Sequence, residues 1–485
     1  MADMDIELKQ YIEPGPSVAP KDALEFAEGT DTKIVDLKFV DLLGRWQHVS
    51  MPLNAFDESA FVEGLGFDGS SIRGWQAIDE SDMLLVPDPA TAIIDPFTAD
   101  STLSLICDIR DPVTGGPYDK DPRFVAKRAE EYLRSTGVAD TVNIGPECEF
   151  FVFDSVSYDL KPQRTGYEID SEEAHWNSGK PGLGYQIREK EGYFPPAPHD
   201  TLQDLRSEMV LTLGRLGIDC EFHHHEVASA GQCEINMRFD SLRKMADQVM
   251  VYKYVVKNVA RRAGKTATFM PKPLFGENGS GMHTHQSLFT GGRNAFFDGD
   301  DKWNLSAAGK AFIAGQLRHA REITAVFAQW VNSYKRLVPG YEAPVYVAWS
   351  QRNRSALIRI PLYKPGSENA TRAELRCPDP ACNPYLTFAC LLHAGLEGIE
   401  QGYELPDPME TNLYHLTPEE RRERGIVSLP ETLGEAIDEL SRSELARKAL
   451  GPHIFDRYVE IKRKEWDEYR VQLTDWEMKK YLAVL

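Results

Sequence analysis

Acidic and imidazole side chains recur in this chain two residues apart, the repeat that puts neighbours on one face of a β-strand. In Gly145-Pro146-Glu147-Cys148-Glu149-Phe150-Phe151, the two glutamates share a face of an otherwise apolar run, separated by roughly 6.5 Å at Cα. In Met282-His283-Thr284-His285-Gln286-Ser287 the same spacing aligns two histidines and a serine, and in Arg372-Ala373-Glu374-Leu375-Arg376 it sets a glutamate between two arginines. The densest stretch runs from His223 to Phe239. There Gln232, Glu234, Asn236 and Arg238 alternate with Cys233, Ile235, Met237 and Phe239, the pattern of a half-buried strand. Glu226 precedes the small residues Ala228 to Gly231 and Glu234 follows them, so a tight reversal there brings both carboxylates together. Clustered acids raise one another's pKa unless a cation lies among them, so the pattern points to a metal site of carboxylate and imidazole donors. The competing account of this stretch is a polar strand face at an oligomer surface.

Further chemistry-bearing segments surround these. Asn278-Gly279-Ser280-Gly281 can present backbone N–H groups to an anion. Arg336, Arg352, Arg354 and Arg359 cluster within an otherwise acidic protein, and forked guanidinium groups suit phosphate or carboxylate. Phe67-Asp68-Gly69-Ser70-Ser71 is a glycine-punctuated loop with a carboxylate, which by itself reads as a turn.

A chain of 485 residues exceeds what one compact core usually holds, so two domains are expected. The net charge of −21 argues against nucleic acid or an anionic membrane as partner. Seven cysteines without C-x-x-C spacing suit a reducing compartment without disulfides or thiolate zinc. The acidic N-terminus lacks the apolar core of a signal peptide, and no run of 18 apolar residues occurs, so a cytoplasmic protein is expected.

The elements that must position the chemistry follow in order. Residues 1 to about 30 read as a polar arm or short helix outside the core. Residues 34–49 read as a hairpin, with strand-like pieces at 91–94 and 103–107. The Pro/Gly-rich passage from Pro112 to Pro122 marks a boundary between domains at 31–115 and 121–485. Asp121-Pro122 opens a helix to about Arg134, and a strand covers 142–153. Residues 155–192 read as a long loop or insertion rather than core. Helices are expected at about 202–216, 242–263, 306–330 and 384–401, with a short strand near 265–273 and a helical C-terminal stretch.

These residues resemble a known family. G-P-E-x-E-F-F, H-H-H-E-V-A-x-x-G-Q-x-E, K-P-x-F-G-x-N-G-S-G-M-H, N-S-Y-K-R-L-V-P-G-Y-E-A-P and R-N-R-S together look like type I glutamine synthetase, from about residue 33 to the C-terminus. The resemblance implies an α+β chain, with a small N-terminal β-grasp domain and a large catalytic domain whose curved antiparallel sheet is flanked by helices. It implies a glutamate–ammonia ligase that uses ATP as co-substrate and two Mg2+ or Mn2+ ions per site. It also implies a dodecamer of two hexameric rings with active sites between subunits.

Carried over by position, one metal would be held by Glu149, Glu226 and Glu234 and the other by Glu147, His283 and Glu374. Arg336 and Arg376 resemble the residues that grip glutamate, with Asn278 and Gly279 at its amino-acid end. Glu221, His224, His285, Ser287, Arg354 and Arg359 resemble ATP contacts, Arg354 and Arg359 facing phosphate. Asp68 matches a carboxylate that a neighbouring subunit lends to the ammonium site, and Glu342 a flap residue over the intermediate. Tyr414 aligns with a tyrosine that some members adenylylate. Subgroup features are mixed: Ala77 replaces an arginine of one subgroup, residues 155–192 resemble the insertion of another, and Glu465 to Arg470 read like the first. A ligase joining glutamate to a larger amine, and an inactive scaffold, are the alternatives; the intact Asp68 loop, Glu342 and all six metal ligands speak against them.

Overall fold

The computed structural model describes residues 9–13, 18–72, 82–161, 163–341 and 343–485. Ala77 and Glu342 lie outside the described residues.

The alternating run from Ile34 forms β1 (Ile34–Val40), turns through Gly44 at φ 81° and pairs antiparallel with β2 (Trp46–Pro52), as expected of a hairpin. β3 (Leu65–Asp68), β4 (Asp82–Pro87), β5 (Ile93–Ile94) and β6 (Thr102–Arg110) complete this sheet in the order β2-β1-β6-β4-β3, with β5 on β6 and β1 parallel to β6. Its core gathers Val35, Leu37, Leu103 and Leu105 with Ala23 and Ala27 of α1 (Pro20–Gly29). The expected short helix is present, but it does not lie outside the core: its small residues let it lie close against the sheet. Residues 89–91 form a 3-10 turn, which leaves only Ile93 and Ile94 of the expected strand.

α2 (Pro122–Thr136) begins where Asp121 accepts from the Arg123 N–H, and ends at Gly137 with φ 71°. Arg123, fully buried, ties the N-terminal sheet to the rest of the chain through Asp88 at 2.7 Å, Asp247 at 3.0 Å and Asp108. β7 (Thr141–Phe153) is followed by a hairpin of β8 (Ser155–Lys161) and β9 (Arg164–Asp170), then α3 (Gln203–Arg215). The predicted reversal joins β10 (Cys220–His225) to β11 (Gln232–Met237). Next come β12 (Asp240–Ser241), α4 (Leu242–Arg262), β13 (Thr266–Thr268), β14 (Met282–Thr290), β15 (Arg293–Asn294), α5 (Ala307–Phe327) and the single turn α6 (Ser333–Arg336). β16 (Tyr346–Ser350), β17 (Ala356–Arg359), β18 (Ala373–Leu375) and α7 (Pro384–Gln401) precede the helices α8 (Pro418–Glu423), α9 (Leu433–Leu440), α10 (Glu444–Leu450), α11 (Pro452–Tyr469) and α12 (Asp475–Tyr481).

The large sheet runs β10-β11-β7-β14-β18-β17-β16. It is antiparallel as expected, apart from β16 and β17, which pair in parallel. Cys148, Phe150, Cys233 and Ile235 point into the core behind it. α7 is buried almost all round, and α5 crosses it at Gly315 and Gly398. A Cβ on Gly315 would meet the Ala394 carbonyl oxygen at 2.2 Å, so the crossing requires glycine.

Residues 155–192 differ from the expected structureless insertion. They open with the β8–β9 hairpin, and Ala174 behind it packs with Phe151, Phe153, Ala228, Ala230 and Leu274 in a small core of their own. The hairpin was legible in the alternation of Val156, Tyr158 and Leu160 with polar residues and of Tyr167 with Ile169, but most of these apolar side chains are exposed, so it lies outside the main core. Among the described residues no helix is long and apolar enough to cross a membrane.

Candidate active site

Three strand registers assemble the site. Glu234 on β11 lies opposite Glu149 on β7, and Asn236 opposite Glu147. Glu147 in turn faces His283 on β14, and His285 faces Glu374 on β18, which faces Arg359 on β17. Because paired residues project to the same side of a sheet, every one of these side chains lies on the face away from the core. β11 is buried along its whole length, not half-buried as its alternation predicts: its polar side lines a cleft rather than open solvent.

Among the described residues two groups of donor atoms lie close enough to hold a cation: Glu147, His283 and Glu374, and His224, Glu226 and Glu234. The first is the trio carried over by resemblance. In the second, His224 stands within 3.7 Å of both Glu226 and Glu234, so it joins the ligand atoms as well as the expected ATP contacts. Glu149 adjoins that group through its register with Glu234 and accepts from Gln232 Nε2 and the Gly281 N–H, each at 2.9 Å. Two N–H groups of the Asn278–Gly281 loop are thus engaged within the protein, Gly281 to Glu149 and Ser280 to the Pro271 carbonyl, so these two do not face an external anion. The glycines permit this: a Cβ on Gly279 would lie 2.3 Å from the Pro271 oxygen, and one on Gly281 2.6 Å from an Arg336 nitrogen.

The charges of the two groups differ. Burial pushes Glu149 up to about 8, and the Glu234 carboxylate beside it adds to the rise. Burial also opposes ionisation of Glu147, but hydrogen bonds from His283 at 3.2 Å and His285 at 2.9 Å hold it well below the usual range. Glu374, fully buried, is likewise held down against burial by His285, Arg376, His283 and Arg359; Arg359 Nε donates to it at 2.6 Å.

A cleft of about 480 Å³ carries Glu147, Glu149, His224, Glu226, Glu234, His283 and Glu374 on its walls, with Asn278, Gly279, Arg336, Arg354, Arg359 and Arg376. A second, of about 290 Å³, is lined by Glu221, His285, Ser287, Phe239 and Arg372. Glu147, Phe222 and Asn236 belong to both, so a group bound in one can reach a group bound in the other across that wall. Arg336 donates to the Cys377 carbonyl at 2.8 Å and the Arg376 carbonyl at 3.1 Å, which fixes its guanidinium at the cleft. The donor set suits a hard divalent ion: carboxylates repel one another around Glu149, and the oxygen of buried Asn236, Oδ1, beside the cleft, has no hydrogen-bond partner among the described residues.

Asp68 lines neither cleft of its own chain; exposed at the end of β3, it accepts from Ser70 and Ser71. Tyr414 is half-buried and donates to the Ala343 carbonyl at 3.0 Å. Tyr193, Lys190 and Tyr341 also reach the larger cleft, and Gln232 orients Glu149; sequence reasoning gave none of them a role. Gln232 and Asn236 were visible on the polar face of β11, whereas Tyr193 follows an aperiodic segment that carries no such signal.

Model-based family matches cover nearly the whole chain: "Glutamine synthetase, beta-Grasp domain" over residues 31–112 and "Glutamine synthetase, catalytic domain" over residues 119–481. A glutamine synthetase of Nostoc sp. is 50% identical over 463 residues, 93% of this chain and 95% of that protein. The Escherichia coli enzyme is 50% identical over 461 residues, 94% and 97% of the two chains. Among solved structures, Plasmodium falciparum glutamine synthetase superposes with a TM-score of 0.86 at 27% identity, covering 96% of this chain and 99% of that one. An ADP complex of GmaS does so with a TM-score of 0.80 at 32% identity, covering 95% and 99%. Two matched domains, half the residues identical across almost the full length of bacterial relatives, and a carboxylate-lined sheet face of the expected composition agree: the chain belongs to the glutamine synthetase family.

Proposed function

We propose that the two carboxylate groups and the two clefts divide the work of a glutamate–ammonia ligase. The chain joins ammonia to L-glutamate at the expense of ATP, giving glutamine, ADP and phosphate, with divalent metal ions. In our reading one Mg2+ or Mn2+ ion is held by Glu149, Glu226 and Glu234, and a second by Glu147, His283 and Glu374. The observation that carries this is the wall shared by the clefts, because phosphoryl transfer needs donor and acceptor in contact at the cations.

Glutamate occupies the larger cleft, its carboxylate gripped by Arg336 and Arg376 and its amino-acid end at Asn278 and Gly279. ATP lies in the smaller one beside Glu221, His285 and Ser287, its terminal phosphate toward His224, Arg354 and Arg359. A carboxylate is a poor electrophile, so it is first phosphorylated to γ-glutamyl phosphate. The bound ions supply charge neutralisation to the phosphoryl group during transfer. Arg354 and Arg359 add guanidinium contacts to the same oxygens. Ammonium cannot attack until it loses a proton, and Asp68 of a neighbouring subunit serves as the base. Glu342 shields the acyl phosphate from water.

The discriminating experiment is ATP turnover with glutamate, comparing ammonium with polyamines and ethanolamine. Phosphate release that requires ammonium is expected; release that requires an organic amine and ignores ammonium would overturn the substrate assignment. In this reading head-to-tail subunits form a dodecamer of two hexameric rings, and the position of Asp68 outside both clefts of its own chain supports it. Asp68→Ala and Glu147→Gln proteins, each nearly inactive, should regain roughly a quarter of the sites when dissociated and randomly reassembled together. Verified mixed oligomers without recovery would return Asp68 to a role within one subunit.

A further inference from the structure

β10 is the edge strand of the catalytic sheet, and it carries His224 and leads into Glu226. An edge strand has one row of backbone groups without a partner in the sheet and is the part of a sheet freest to move. Here a remote segment covers that row: the Gly192 N–H donates to the Val227 carbonyl at 3.0 Å, and the Phe194 N–H to the His225 carbonyl at 3.3 Å. The approach is tight enough to need glycine, since a Cβ on Gly192 would lie 2.4 Å from the Glu226 oxygen, 2.6 Å from the Ala228 oxygen and 2.9 Å from His225 Nδ1. Phe194 then meets the His224 ring edge-on at 4.5 Å.

His225 is the pin of this contact. Its side chain, buried behind the strand, places Nδ1 2.8 Å from the Gly192 carbonyl and 2.7 Å from the Glu226 carbonyl, and Nε2 2.8 Å from Glu173 Oε1. All three partners are acceptors, so both ring nitrogens donate. Glu173 is itself buried and comes from the 155–192 segment; its other oxygen accepts from the Thr201 N–H at 3.1 Å and hydroxyl at 2.8 Å. With both oxygens engaged it is no candidate ligand. What it holds is the ring that fixes the backbone of Glu226.

We propose that Glu173 is a positioning residue for the cation held by Glu226 and Glu234, acting through His225 to set the backbone from which the Glu226 carboxylate projects. The proposal rests on the reading of that carboxylate group as a metal site. Partners of this kind behind metal ligands commonly alter affinity by about tenfold or more.

The test is Mn2+ titration of the purified full-length protein, followed by the paramagnetic signal of free Mn2+, together with thermal melting. Glu173→Gln keeps the shape of the side chain and removes its charge; it should weaken Mn2+ binding about tenfold at one class of site, with turnover restored at higher Mn2+. His225→Gln breaks the same link from the other end, because one amide cannot reach Gly192, Glu226 and Glu173 at once. It should show the same loss, and the double substitution no further loss. The exposed neighbour Glu172, changed to Gln, should bind Mn2+ as the unaltered protein does. Lowered melting temperature with unchanged Mn2+ affinity in both variants would overturn the proposal and leave Glu173 a purely structural residue. Glu226→Gln separates this failure from that of the site itself: if it too leaves Mn2+ binding unchanged, the metal assignment falls first.

Discussion

The two carboxylate groups lie on adjacent strands of one sheet, yet the protein treats their charge in opposite ways. Around Glu374 and Glu147 it has packed His283, His285, Arg359 and Arg376, so these acids are ionised and paired before any ligand arrives. Around Glu149 the Glu234 carboxylate adds to the effect of burial, which donation from Gln232 and Gly281 and the Arg336 charge do not offset, and Glu149 is pushed up to about 8. A buried acid with cationic neighbours is stabilised in its charged form by the fold itself; a buried acid among acids is not, and favours the approach of positive charge. The comparison teaches that ligand composition alone does not rank metal sites, because the cations already supplied by side chains compete with the ion.

The contrast can be broken most directly by removing one acid from each group. Glu374→Ala leaves Arg359 and Arg376 facing a buried gap and should destabilise the chelator-treated protein by about 3–5 kcal/mol. Glu149→Gln removes repulsion where Glu149 is ionised, and should raise the melting temperature of the chelator-treated protein above about pH 8. The same Glu149→Gln protein should lose the cation from one site and turnover by roughly 10²–10³-fold, the range for losing one contact to developing charge. Equal destabilisation by both substitutions in thermal melts would erase the distinction.

Proton release sharpens it further. Glu149 is raised above its unfolded value of 4.5, so near neutral pH it binds a proton in the metal-free protein that a cation must displace. Its contribution to stability is therefore fully present below about 4.5, and declines as pH rises through about 8. Glu147 and Glu374, held low, have no such proton to give. Calorimetric titration of Mn2+ in buffers of different ionisation enthalpy should reveal proton release at one class of site and none at the other. Release that is equal at both, or absent, would contradict the charge assignment.

The smallest expected effect concerns Arg376, which pairs with Glu374 and in the proposed function also grips glutamate. Arg376→Lys keeps the charge but loses the planar fork, and should raise the KM for glutamate about tenfold, the equivalent of one charge-assisted hydrogen bond. An unaltered glutamate dependence would leave Arg376 as a neutralising partner of Glu374 only.

What the sequence determined by itself was local. The two-residue repeat in Glu147-Cys148-Glu149, Gln232 to Met237 and His283-Thr284-His285 is enough to place each acid or imidazole on one strand face, because that alternation is a property of the extended backbone. The N-cap at Asp121 and the reversal after Glu226 were legible for the same reason. Recognition of long motifs added the pairing of distant residues, which periodicity does not contain.

Tertiary structure decided the rest. Strand register put Glu147 beside His283, 136 residues away, and brought Arg359 onto Glu374; no local pattern records which strand lies next to which. It turned the polar side of β11 into a buried wall, drew His224 in among the ligands, and sent Glu173 from an apparently structureless insertion to the back of the edge strand. Burial and neighbouring charge depend on contacts between residues far apart in the chain, and they separate two groups of glutamates that look alike in sequence into one held ionised by cationic neighbours and one in which Glu149 is pushed up.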